Sequence, residues 1–270
     1  MDFELHRRLE EESSLLNWYQ LIANELPVPY TTILRLNEND LKEMRGFLDG
    51  KPLSVDLALR IKDAADVTGY PMFLRTDQAS DKHSFKDAAY VENNSELMGH
   101  IARTAEFNMM ADIIGLSWEA LIFRRYIPLV YSFKAFNFLP IARERRYFVK
   151  DGKVICHHPY WTQDAIHGRG DCKLPDDWKY QLRRLNIEDD AEQKALDTYA
   201  KLFSRLVPGY WSVDFALAQS GQWILIDAAR GEVSWHPNDC PHCPEESKTP
   251  KTEQPDFESM LIQKNNEAKV

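Results

Sequence analysis

Cysteine is scarce in this chain. Cys156, Cys172, Cys240 and Cys243 are the full set in 270 residues, too few to staple a chain of this length by disulfides. Long apolar runs are missing too. No stretch approaches the ~20 apolar residues of a membrane span. The opening MDFELHRRLEEESS is too polar and charged for a secretory leader. These absences lead to the expectation of a cytoplasmic protein with no membrane segment. Basic charge is in deficit: the formal net charge is -9, which argues against a broad nucleic-acid footprint. No internal repeat is visible. What remains is 44% hydrophobic and 28% charged, a globular composition in a chain long enough to bury a sizeable core.

Periodicity divides the chain into elements. Leu15, Leu16, Tyr19, Ile22 and Ala23 repeat at helical spacing, so a helix is expected over Asp2–Leu26. Pro27 and Pro29 stop it, and Thr31–Ile33 can extend as a strand. Asp40 reads as a helix cap. Ser54 caps the next helix, which Gly69 ends. Met72–Leu74 reads as a buried strand that leaves the core at Arg75. A loop with Lys82, His83 and Lys86 follows, then a strand through Ala88–Val91. A helix is expected over Ser95–Ile114, a strand over Ala120–Leu129, and a helix around Ala191–Leu206. Two strands meet at the hairpin turn Asp151-Gly152, and two more at Ser220-Gly221. The tail beyond Lys248 is polar and charged.

Charged side chains gather in four places. Arg75 stands with Lys82 and Lys86. Arg124-Arg125 ends a strand. Glu144-Arg145-Arg146 opens another. Asp214 and Asp227 sit one on each arm of a hairpin. Taken singly, these read as surface pairs, a salt bridge and edge residues. Taken together, the cations suit a polyphosphate, which guanidinium and ammonium groups grip by charge-assisted bonds. The acids suit magnesium, a hard cation that takes oxygen ligands and bridges carboxylates to phosphates. His236, Cys240, His242 and Cys243 also lie close enough in WHPNDCPHCP to suggest a structural zinc site. Cys156, His157 or His158 would complete the set, and the C-x-x-C spacing occurs once only.

The order and wording of these segments resemble the ATP-grasp superfamily. GYPMFLR is similar to its phosphate-binding strand, with Arg75 where a lysine is usual. ALIFRRYIPL resembles the hinge strand, and YWSVDFAL…GQWILIDAARG the closing metal hairpin. SFKDAAYV, RERRYFVKDGKVI and SVDFAL…WILIDAA resemble most closely the cell-division-cycle ATP-grasp family, which assists assembly of a translation initiation factor. The likeness runs from about Gly69 to Glu232. It implies an α+β fold of two lobes, with antiparallel-rich sheets enclosing a nucleotide cleft. The smaller lobe would cover about 69–125 and the larger about 126–240, behind an N-terminal helical segment (1–68) and before a polar tail (241–270).

Residue by residue, the resemblance implies that Arg75 and Lys86 contact phosphates, Lys82 competing with Lys86. Arg124, Arg125, Tyr126 and Ile127 would form the adenine hinge. Glu144 would orient the nucleotide or Arg146, and Arg146 would face the γ-phosphate. Asp214 and Asp227 would hold magnesium, and Tyr160 and Trp161 would wall an acceptor pocket. Two departures stand out. Ala229 replaces the asparagine usual two residues after the second acid, so a metal ligand is missing unless Glu232, Arg230 or water compensates, and a glycine-rich loop is lacking, with Ser80, Ser84 and the lysines in its place. The activity implied is ATP- and magnesium-dependent ligation of a carboxylate to an amine. The alternative is ATP binding by an assembly factor whose client is a protein.

Overall fold

A computed structural model of the chain describes residues 3–112, 117–166 and 172–243. Met1–Ser234 form one compact unit and Trp235–Val270 a second. In the second, residues 235–243 run as a chain of tight turns, with Cys240 N donating to Pro237 O and Cys243 N to Cys240 O, each at 3.0 Å. The tail beyond Lys248 lies outside the described residues.

The first unit opens with helices α1 (Phe3–Glu12) and α2 (Leu15–Ile22), then strand β1 (Thr31–Arg35), helices α3 (Glu38–Leu48) and α4 (Val55–Thr68) and strand β2 (Met72–Thr76). A wide turn at Phe85–Ala89 leads to β3 (Tyr90–Val91), α5 (Leu97–Asp112) and β4 (Ala120–Arg125). Strands β5 (Tyr131–Ala135), β6 (Leu139–Ala142), β7 (Glu144–Lys150) and β8 (Lys153–Pro159) come next. Helices α6 (Trp178–Leu185) and α7 (Asp190–Leu206) precede the hairpin of β9 (Tyr210–Leu217) and β10 (Trp223–Arg230).

Two four-stranded sheets result, in the orders β1-β4-β2-β3 and β10-β9-β7-β8, with β5-β6 as a separate pair. Every pairing is antiparallel. Side chains alternate between the faces of a strand, and the first sheet is buried on both. Met72, Leu74, Leu121 and Phe123 pack with Met44, Leu57 and Ile101 from α3, α4 and α5. Ala120 and Ile122 point the other way, into a core of Trp18, Tyr147, Phe203 and Phe215 shared by α2, α7 and the second sheet. A third cluster joins Phe85, Trp161 and Leu182 to the β5–β6 pair. Among the described residues, no helix is long and apolar enough to cross a membrane.

Several local expectations are corrected. The N-terminal helix is two helices. Ser14 breaks it, accepting from Leu16 N at 3.3 Å as the cap of α2 and donating to Asp77 Oδ2 at 2.8 Å. Asn37, not Asp40, caps α3; Asp40 is the reciprocal partner in a capping box. The strand expected to run to Leu129 ends at Arg125. The α5 expectation extended to Ile113 and Ile114, which lie outside the described residues. Helix α6 and the β5–β6 pair were not foreseen.

A candidate nucleotide cleft between two sheets

Register decides which side chains meet. In β2 and β4, Phe73 lies opposite Arg124 and Arg75 opposite Ile122, so all four share the face that looks toward the second sheet. There, Asp227 lies opposite Asp214 and Asp214 opposite Arg146. A row of acid, acid and base therefore crosses β10, β9 and β7. Glu144, two residues before Arg146, shares its face.

An ion pair and a hydrogen bond join the two faces, and a second ion pair lies within the β9–β7 face. Arg75 Nη1 donates to Asp227 Oδ1 at 2.9 Å, while its Nε and Nη2 donate to the carbonyls of Thr76 and Gln78. Arg146 clamps Asp214 with both arms, Nε to Oδ1 and Nη2 to Oδ2, each at 2.8 Å. Arg124 reaches across to the Ile226 carbonyl with Nη1. Its Nε and Nη2 are buried and have no hydrogen-bond partner among the described residues. Lys82 donates to the Tyr160 hydroxyl and lies 4.3 Å from the centre of that ring. Arg146 lies over the same ring at 4.8 Å.

Burial tunes these groups. Desolvation and the nearby Arg75 pull Arg124 down to about 10, against Asp227. Burial pushes Glu144 up to about 7, although Lys82, Arg146 and a 3.1 Å hydrogen bond from Trp161 Nε1 favour its charged form. Burial works against ionisation of Asp227, but Arg75 and Arg124 outweigh it and hold the carboxyl below its ordinary value. For Arg146, burial lowers and Asp214 raises, and Asp214 wins.

One cleft is lined by Arg75, Lys82, Arg124, Arg125, Tyr126, Ile127, Glu144, Asp214 and Asp227. Arg146 adjoins it through Asp214. Lys86 does not join it. The turn at Phe85–Ala89 sends Phe85 into the cleft and Lys86 out, where its Nζ lies 5.5 Å from the Phe138 ring in a separate hollow. Between the two lysines, Lys82 is the one at the cleft. At the end of β4, Arg125 N donates to Tyr30 O and Tyr126 N to Pro71 O. The Ile127 N–H has no hydrogen bond among the described residues. Phe73, Phe85 and Leu139, which the sequence did not mark, add apolar walls. Phe73 was legible only as part of the apolar run Met72–Leu74, and nothing in residue type set Phe85 or Leu139 apart.

The sequence matches a family model described as an ATP-grasp domain, family 3 of its clade, over residues 65–248. This chain belongs to that ATP-grasp family. No curated protein sequence matches it. C-terminally truncated Cdc123 from Schizosaccharomyces pombe is 12% identical, with 92% of this chain and 95% of that chain covered and a TM-score of 0.56. Cdc123 from the same organism gives 14%, 83%, 85% and 0.54 for the same measures. The VanG D-Ala:D-Ser ligase from Enterococcus faecalis is 13% identical, with 82% of this chain and 52% of that chain covered and a TM-score of 0.47. The Cdc123 likenesses show the fold: this ATP-grasp chain has the α+β architecture expected.

Proposed function

We propose that this ATP-grasp chain binds ATP with magnesium in the cleft between its sheets and uses it to join a carboxylate to an amine. The observation that carries the reading is Arg124. It offers two buried donors without a partner among the described residues, in a cleft it shares with Arg75 and Lys82. A buried donor left unpaired costs about 1–3 kcal/mol. An anionic ligand rich in acceptor oxygens removes that cost.

In this reading Ile127 N–H donates to the base edge, and Phe73, Phe85 and Tyr126 exclude water around the ring. Arg75, Lys82 and Arg124 lie along the phosphates. Arg146, aimed by Asp214, faces the terminal phosphoryl group. The donor set fits magnesium in kind, since Asp227, beside Asp214, turns a hard carboxylate oxygen into the cleft. When bound, the ion would draw charge from the phosphate oxygens. The carboxylate of one substrate attacks the γ-phosphorus and ADP leaves. The amine nitrogen then attacks the acylphosphate carbon, phosphate departs and the nitrogen sheds its proton. Positioning and charge carry such chemistry, and the cleft supplies both.

A second reading is nucleotide binding without turnover, serving a protein client. Ala229 favours it, because a ligand oxygen is missing beside Asp227. Calorimetry with a nonhydrolysable ATP analogue tests both readings, and no heat of binding ends both. Phosphate release across a panel of amines separates them. Acceptor-dependent release supports ligation, and tight binding without release supports the client reading.

A further inference from the structure

How many divalent cations the cleft takes is a question that rests on the nucleotide reading. Three observations bear on it. First, Ala229 has no side-chain oxygen, and the groups around it are already committed. Ser212, its cross-strand partner, shares a 2.6 Å hydrogen bond with Ser234. Glu232 is held by Arg230 at 2.9 and 3.3 Å. Arg230 itself also lies 3.6 Å from Glu12.

Second, the two acids are not equivalent. Asp214 is 7% exposed and both its oxygens accept from Arg146. Asp227 is 40% exposed, and only its Oδ1 is taken, by Arg75 and by Ala228 N at 3.1 Å. No hydrogen bond reaches its Oδ2 among the described residues. Third, the charges already come close to balance. With the cleft's Arg125 and Glu144 offsetting each other, Arg75, Lys82, Arg124 and Arg146 face the two aspartates and a triphosphate of charge about −4. One divalent cation neutralises the remainder. A second would leave excess positive charge in a partly buried site, where uncompensated charge is costly.

We propose that the cleft takes one divalent cation, on Asp227, and that the Arg146 guanidinium stands where a second cation would otherwise bind. Asp214 is then the positioning carboxylate that aims Arg146. It is not a metal ligand.

The test counts ions and does not depend on turnover. The full chain is saturated with AMP-PNP and titrated with Mn2+, the free ion being read by electron paramagnetic resonance. One Mn2+ per bound nucleotide is expected. Asp227→Asn weakens that Mn2+ by about tenfold or more, equivalent to about 1.4 kcal/mol. Asp214→Asn leaves Mn2+ affinity within about threefold and weakens the nucleotide instead. Two Mn2+ per nucleotide in the wild type overturn the inference, a count that no misfolded variant can obscure. So does Mn2+ loss that follows Asp214 and spares Asp227. A wild-type chain that binds no AMP-PNP overturns the nucleotide reading along with it, whereas a two-ion result leaves that reading standing.

Discussion

Glu144 is 6% exposed and surrounded by groups that pull in opposite directions. Burial wins and holds its carboxyl at about 7, against an ordinary 4.5. The folded state therefore keeps the proton more tightly than the unfolded state does. Stability from this group is fully present below pH 4.5 and is lost as the pH rises through 7. The shift amounts to about 3 kcal/mol at most. Glu144→Gln removes this titration. The stability of the variant relative to wild type should grow from pH 4.5 to 7 and level off above, in urea midpoints taken across that range. Comparing the two proteins at each pH cancels the histidines that titrate nearby; a constant difference contradicts the assignment. Lys82 and Lys86 give a second test at this scale. Lys82→Met should weaken AMP-PNP binding about tenfold, as loss of a charge-assisted contact does. Lys86→Met, in its separate hollow, should change it less than about twofold.

Among the elements, Ser14 separates what local sequence encodes from what tertiary contacts impose. The apolar spacing over Leu15–Ile22 is helical and is found as α2. The break before it was invisible because it serves Asp77, far along the chain. Asp77 is buried and accepts from Ser14 Oγ, Glu119 N and Ala120 N at 2.8, 2.9 and 2.9 Å. Ser14→Ala removes a helix cap and one of those bonds together. It should cost about 2 kcal/mol, read as a fall in urea midpoint with unchanged slope. The turns at Asp151-Gly152 and Ser220-Gly221 were legible because Gly152 and Gly221 adopt positive φ. The β5–β6 turn was not, since Phe136 and Phe138 take positive φ there without a glycine. The site divides in the same way. The two acids and the basic residues were marked by type and order, whereas Arg124, Arg125, Tyr126 and Ile127 were named as a hinge on the resemblance alone. The Arg146 clamp on Asp214 and the stranded donors of Arg124 depend on cross-strand register, which one strand read alone does not reveal.

Across the whole first unit, the two sheets meet in two ways that respond differently to solvent. One is the core of Trp18, Ile122, Tyr147 and Phe215, which salt leaves nearly untouched. The other is polar: Arg75 to Asp227 and Arg124 to the Ile226 carbonyl, joining β2 and β4 to β10. In the proposed function, an incoming polyphosphate competes for those same arginines. Binding should therefore exchange internal partners for phosphate oxygens while the apolar core holds the sheets in place. Coulomb interactions across a partly open cleft weaken as salt shortens the Debye length, about 10 Å at 0.1 M, whereas contact with an apolar wall does not. Two variants separate these contributions. Arg75→Met should weaken AMP-PNP about tenfold or more and flatten the dependence of affinity on ionic strength. Phe73→Ala, which removes an apolar wall on the same strand, should weaken binding while keeping the wild-type salt slope. Calorimetric titrations at several salt concentrations give both slopes, and urea midpoints confirm that each variant is folded. Equal salt slopes for wild type and Arg75→Met would mean that Arg75 keeps Asp227 as its partner in the complex and never meets the phosphates.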